Sequence, residues 1–143
     1  IRTASCACST GAAAAGAAGM LIADPVVDAF NPNAIRASTG TVFALPIVGE
    51  NTSGIVQFLR TRKARIVAAA PHASHLYTDT DLTGEVAMVV GPEDTGLSPE
   101  WLAEDVADAC VRIPLEGGLV DSLNASVAAA VLLFEAVRQR RVQ

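Results

Sequence analysis

Twice in this chain a strand-like run leads through a glycine-bearing loop to a helix start. Residues 86–90 are all apolar and run into Gly91-Pro-Glu-Asp-Thr-Gly-Leu97. Residues 111–113 end at Pro114, pass the Gly117-Gly118 loop and lead into a long apolar helix. An all-apolar strand suits a parallel sheet covered on both faces. Two such junctions in one small domain predict a parallel α/β architecture with a crevice at the strand C-termini, where open sheets bind ligands. Ser122, Asn124 and Ser126 crowd the second helix start. A helix start exposes unpaired N–H groups and a partial positive charge, so these side chains either cap the helix or face a ligand.

The rest of the chain agrees with alternating strands and helices. Residues 20–23 read as a short strand ended by Asp24-Pro25. Asn31-Pro32 offers a cap with proline at the first helical position, for a short helix to about Ser38 stopped near Gly40. Residues 42–48, broken by Pro46, read as an edge or irregular strand. Thr52 or Ser53 can cap a helix to about Lys63, with Ile55, Val56, Phe58 and Leu59 on its apolar face. Residues 65–69 form a strand, and a polar loop follows through Gly84. Ser98-Pro99-Glu100 starts a helix to about Val106, residues 110–113 form the last strand, and residues 122–141 the last helix.

Several other signals carry little chemistry. The Gly/Ala-rich residues 11–19 precede a strand, whereas a dinucleotide-binding glycine loop follows one. His72 and His75 read as surface residues of a loop, and Trp101 as a packing residue. Cys6-Ala-Cys8 has no second Cys/His pair at zinc-ligand spacing, so no metal is expected, and Cys110 reads as a buried thiol. No secretory pattern opens the chain, whose first residues read as the middle of a longer sequence, and no apolar run is long enough for a bilayer. A reduced, cytoplasmic protein is expected. The net charge of −5, ten basic residues against fifteen acidic, disfavours a self-sufficient nucleic-acid binder. Arg60, Arg62, Lys63 and Arg65 cluster as a solvated helix end or as part of a phosphate-contacting rim. Arg138, Arg140 and Arg141 complement a helix C-terminus.

Taken together, these segments resemble a known family. Gly91-Pro-Glu-Asp-Thr-Gly-Leu97 resembles the second motif of the SpoU/TrmH family of RNA 2′-O-ribose methyltransferases. Ile113-Pro114 with Ser122-Leu-Asn-Ala-Ser126, and Glu135 beyond, is similar to the third. Arg36-Ala-Ser-Thr-Gly40, before Phe43 and Leu45-Pro46, is similar to a segment between the first and second. Ile1-Arg-Thr-Ala4 looks like the tail of the first, where an Asn-x-Gly normally precedes the arginine. Residues 5–13 look like extra sequence between that arginine and the first visible strand.

The resemblance implies a SPOUT fold, a parallel sheet flanked by helices with a deep C-terminal trefoil knot. It also implies S-adenosylmethionine (SAM) as cofactor, a homodimer whose active site draws on both subunits, and an RNA substrate. Residues 1–143 would be the SAM-binding domain, lacking the family's first strand and any N-terminal RNA-binding domain. The implied reaction moves a methyl group from SAM to a ribose 2′-hydroxyl. Residues 31–38 resemble members acting on large-subunit rRNA, which favours rRNA over tRNA.

By the same resemblance, Arg2 is assigned to the 2′-hydroxyl. A guanidinium, with pKa above about 12, is a poor base and better suited to stabilising a developing alkoxide or a neighbouring phosphate. Glu93 would orient Arg2 or the substrate. Ser122 and Asn124 would fix the methyl-bearing end and the arginine. Ser38, Gly40, Gly91, Gly96, Ile113, Leu123, Asn124 and Ser126 would bind the cofactor. Two alternatives stay open: a non-catalytic RNA- or SAM-binding module of the same fold and, more distantly, a nucleotide-dependent reductase.

Overall fold

Residues 65–69 carry three consecutive side chains, Ile66, Val67 and Ala68, with no solvent exposure. They form the third strand of a computed structural model that describes residues 4–26, 28–92, 94–118 and 121–142. The described elements are α1 (Ala4–Ala14), β1 (Met20–Ala23), α2 (Pro32–Ala37), β2 (Ile47–Glu50), α3 (Thr52–Thr61), β3 (Arg65–Ala69), β4 (His75–Leu76), β5 (Val86–Val89), α4 (Pro99–Leu102), β6 (Ala109–Arg112) and α5 (Ala125–Arg141). Single 3-10 turns lie at Thr41–Phe43 and Tyr77–Asp79.

All strand pairs are parallel, in two sheets: β1 with β2, and β4-β6-β3-β5. Successive residues of a strand point to opposite faces, and β3 shows the consequence. Ile66 joins Ile55, Leu59, Ala64 and Trp101 on the α3 side. Val67 joins Leu82, Val111, Leu132 and Ala136 on the α5 side. The sheet therefore lies between two helical layers, as the apolar strands predict.

Several boundaries differ from the sequence reading. Residues 5–13 lie within helix α1, which packs on α5. Alanine is the best helix former, but alanines on every side leave no amphipathic period to detect. Gly11 serves the packing, since a Cβ there would stand 3.2 Å from the Cβ of Ala130.

The α3 cap is Asn51, whose Oδ1 accepts the Gly54 N–H at 2.8 Å. Thr52 is instead the first helical residue, and its N–H and hydroxyl donate to Asp24 at 3.2 and 2.6 Å. This ties α3 to the end of β1. Residues 42–48 do not form one strand. A 3-10 turn comes first, and β2 begins only after Pro46, which has no N–H to donate.

The expected loop before Gly84 contains β4, which places His75 in a strand beside Val111. Two residues are too few to leave a periodic signal. Helix α4 is one turn long and ends before Val106. Ala103 is extended, at φ −65° and ψ 140°, and beyond it Arg60 Nη2 donates to the carbonyls of Asp105 and Val106 at 3.2 and 2.8 Å. Helix α5 starts at Ala125, so Ser122 and Leu123 precede it.

Candidate functional site

The first junction follows β5. Gly91 lies against the far end of its own loop. A Cβ on it would fall 2.4 Å from the Gly96 carbonyl carbon and 2.5 Å from the Leu97 nitrogen. Gly96 N–H donates to the Pro92 carbonyl at 2.8 Å and adopts a φ of 67°, in the left-handed region that glycine tolerates. One glycine is thus needed for close approach and the other for backbone conformation. Leu97 packs on the cluster of Ile66 and Trp101, anchoring the loop. Glu93 lies outside the described residues, as does Arg2.

The second junction follows β6. Ile113 is half-buried on the cluster of Val67, Leu82 and Val111. Residues 114–118 are exposed, and Ser122 is exposed beyond them. Asn124 caps α5. Its Oδ1 accepts the Ser126 N–H at 2.9 Å and also the Ser126 hydroxyl. Leu123 is half-buried between these polar neighbours. The cap reading of Asn124 is therefore realised, with Ser126 as its partner.

The two junctions do not belong to adjacent strands, because β3 lies between β5 and β6. The end of β3 stands between them, and Ala70 N–H donates to the Val111 carbonyl at 2.9 Å. The sequence places Ala70 and Pro71 in a plain loop, and only the strand order makes them neighbours of the crevice.

Ser38 and Gly40 belong to a different neighbourhood. Ser38 is fully buried, donates its hydroxyl to the Ile35 carbonyl at 3.0 Å and accepts the Val42 N–H at 3.4 Å. Its carbonyl accepts the hydroxyls of Thr10, Thr39 and Thr41. Gly40, at φ 83°, completes this turn against α1. In this structure both residues hold the turn together.

The basic clusters bind the chain's own acceptors. Arg60 grips both Asp108 oxygens at 2.8 and 2.9 Å. Arg62 bonds Glu85, and Arg65 donates to the Asp81 carbonyl. Arg138 is bidentate on Glu135, and Arg140 donates to the carbonyls of Thr83 and Gly84. Burial resists ionisation of Asp108, but the Ile66 N–H and Arg60 outweigh it and hold its carboxyl below the ordinary range. Arg138, opposed by burial and helped by Gln139, does the same for Glu135. Both carboxylates thus have structural partners. Among the described residues no group of three or more His, Cys, Asp or Glu could hold a metal ion.

Residues 7–134 match the SpoU rRNA Methylase family. The chain belongs to the SpoU rRNA methylase family. It is 36% identical over 133 residues to the 23S rRNA (uridine(2479)-2'-O)-methyltransferase of Streptomyces viridochromogenes, covering 89% of this chain and 45% of that protein. It is 33% identical over 135 residues to the 23S rRNA (guanosine-2'-O-)-methyltransferase RlmB of Escherichia coli strain K12, covering 94% and 54%. The SpoU methyltransferase AviRb from Streptomyces viridochromogenes, solved with AdoMet, superposes with a TM-score of 0.88 at 31% identity, over 99% of this chain and 57% of that one. The chain spans about half the length of the curated relatives it matches.

Proposed function

We propose that this chain is the SAM-binding catalytic domain of an RNA ribose 2′-O-methyltransferase, with 23S rRNA as the favoured substrate. The reading is carried by the two glycine-bearing junctions at parallel-strand C-termini, in a chain matching rRNA 2′-O-methyltransferases over most of its length. The residues present suit the cofactor. Gly96, Gly117 and Gly118 have nothing within 4 Å of where a Cβ would stand, so a ligand has room to approach the backbone of these loops. Half-buried Ile113 and Leu123 offer apolar contact, and Ser122 and Asn124 offer neutral polar groups that do not pair with a sulfonium.

When bound, SAM supplies an already activated methyl group. The chain's task is then to align the 2′-oxygen, an effect worth roughly 7–11 kcal/mol. Arg2 stabilises the developing alkoxide or a nearby phosphate, Glu93 orients it, and Asn124 holds the start of α5 in place.

Three further features complete the proposal. A C-terminal knot is supported by the order β4-β6-β3, in which β6 enters between two strands already joined by residues 70–74. A homodimer is supported by α5, where Val127 and Phe134 stand 48% and 50% exposed on one stripe with half-buried Val131. A reducing, cytoplasmic setting is supported by Cys110, a half-buried cysteine outside any disulfide. Among the described residues no helix is long and apolar enough to cross a membrane.

The test is SAM calorimetry together with methyl transfer to 23S rRNA. SAM binding and site-specific 2′-O-methylation are expected. SAM binding with no transfer would favour the non-catalytic module, and no SAM binding would refute the proposal.

A further inference from the structure

Residues 28–45 fold as two tight turns joined by α2, and each turn carries an exposed phenylalanine. In the first, the Asn31 N–H donates to the Asp28 carbonyl at 3.3 Å, and the Phe30 N–H to Asp28 Oδ1 at 2.9 Å. The second is the 3-10 turn. There the Phe43 N–H donates to the Gly40 carbonyl at 3.1 Å, and the Ala44 N–H to the Thr41 carbonyl at 2.9 Å. The two rings meet with centroids 5.8 Å apart and planes inclined by 21°. That is the offset-stacked arrangement aromatic pairs prefer.

This pair is not part of the core. Val42 and Leu45 supply the buried contacts of the second turn, at 0% and 8% exposure, whereas Phe43 is 66% and Phe30 44% exposed. The hydrogen bonds fix the backbone beside both rings, so they form a prearranged aromatic surface facing water. A clustered apolar surface of this kind marks a place where something binds.

Charge and position indicate what covers it. The chain has ten basic residues against fifteen acidic, and Arg60, Arg62, Arg65, Arg138 and Arg140 bond its own acceptors. Phosphate contacts, which carry most RNA affinity, are therefore scarce. Stacking needs no charge on the protein and accepts any unpaired base, because every base has a π-face. A cation that is not committed stands on the same segment. Among the described residues Arg36, on α2 between the two turns, has one side-chain partner, Asn33 Oδ1 at 3.4 Å. A guanidinium beside aromatic rings suits RNA, whose unpaired bases stack on both. The turn is also tied to the start of α1. Thr41 Oγ1 lies 3.1 Å from Ser9 Oγ and 2.8 Å from Thr10 Oγ1, and α1 begins two residues after Arg2. Thr10 is roughly 9 Å along the helix from Ala4, so the rings serve a nucleotide near the target.

We infer that Phe30 and Phe43 form a stacking platform for an unpaired base of the substrate RNA. The inference rests on the RNA reading above and adds to it a contact outside the cofactor crevice, made without phosphate recognition.

The experiment places a fluorescent reporter in the platform. In Phe43→Trp, a short single-stranded RNA of mixed sequence is expected to quench the new indole emission. The same RNA annealed to its complement is not, because a duplex keeps its bases inside. Trp101 is buried, and the unsubstituted chain gives its background. Phe43→Leu keeps an apolar side chain without a π-face. It should bind the single strand roughly 5- to 150-fold more weakly, with SAM affinity unchanged and a melting temperature within about 2 °C of the unsubstituted chain. Phe30→Leu should weaken RNA binding in the same sense and decides the matter if the tryptophan variant does not fold. A folded Phe43→Trp protein with no quenching overturns the inference, and so does unchanged RNA affinity in the leucine variants. A lower association state of Phe43→Leu in sedimentation also overturns it, because a second copy would then cover the rings. The methyltransferase reading is judged separately, by SAM binding and methyl transfer in the unsubstituted chain.

Discussion

Replacing Gly91 by alanine tests the loop and the site together. The new Cβ would meet only backbone, at 2.4 Å from the Gly96 carbonyl carbon and 2.5 Å from both the Gly96 oxygen and the Leu97 nitrogen, where ordinary contact begins at 3.4 Å. Residues 96–97 must therefore retreat by about 1 Å, against the Pro92–Gly96 hydrogen bond and the packing of Leu97 on Ile66 and Trp101. Overpacking of this kind costs about 1–3 kcal/mol. With an unfolding entropy of about 2.1 cal/mol/K per residue, a chain of this length loses roughly 3–10 °C in melting temperature. If the loop yields and SAM needs it in its original place, the same energy reappears as a roughly 5- to 150-fold weaker Kd.

Gly84→Ala is the control, because nothing lies within 4 Å of its Cβ position and its φ is not positive. Gly96→Ala isolates backbone strain, since φ there is 67° in open space, and it should cost about 1–2 kcal/mol. Differential scanning calorimetry and SAM titration read the outcome. A Gly91→Ala protein melting within about 1 °C of the parent would refute the packing argument. A lowered melting temperature with unchanged SAM affinity would keep the packing and remove the loop from the cofactor site.

Asn124→Ala should cost about 1 kcal/mol through the lost cap, whereas Asn124→Asp keeps an equivalent cap and adds a charge; full stability with altered SAM affinity in the Asp variant would separate the ligand role from the capping role. Asp108→Ala leaves the buried Ile66 N–H, held at 2.7 Å, without its acceptor and should cost about 2–3 kcal/mol in chemical denaturation at neutral pH. The folded pKa of Asp108 is depressed, so its contribution is present above the unfolded value near 4 and is lost as pH falls through the folded one; the variant should show a flatter acid limb, and an unchanged limb would contradict the assignment. Phe134→Lys places a charge on the exposed α5 stripe and should weaken a homodimer at least tenfold in sedimentation, while a dimer of unaltered affinity would move the interface elsewhere.

The parallel α/β class, five of the six described strands and the α2 cap were legible in the sequence, because buried apolar runs, prolines and Asn-Pro pairs act locally. The glycine pattern of residues 91–97 and the polar start of α5 were legible too. Local signals failed where a distant partner decides. Helix α1 has no amphipathic period, and its place is set by Gly11 against Ala130. Helix α4 stops after one turn at Ala103, whose backbone is extended, and Arg60, on another helix, takes the carbonyls of Asp105 and Val106 in the turn that follows. Ser38 is held in a turn by hydrogen bonds to Thr10, Thr41 and Val42, which no local pattern announces. The strand order β4-β6-β3-β5 puts the end of β3 between the two glycine junctions. Periodicity tells which residues are apolar and how each segment coils, whereas which edges and loops meet depends on contacts between residues far apart in the chain, and those exist only once the layers have packed.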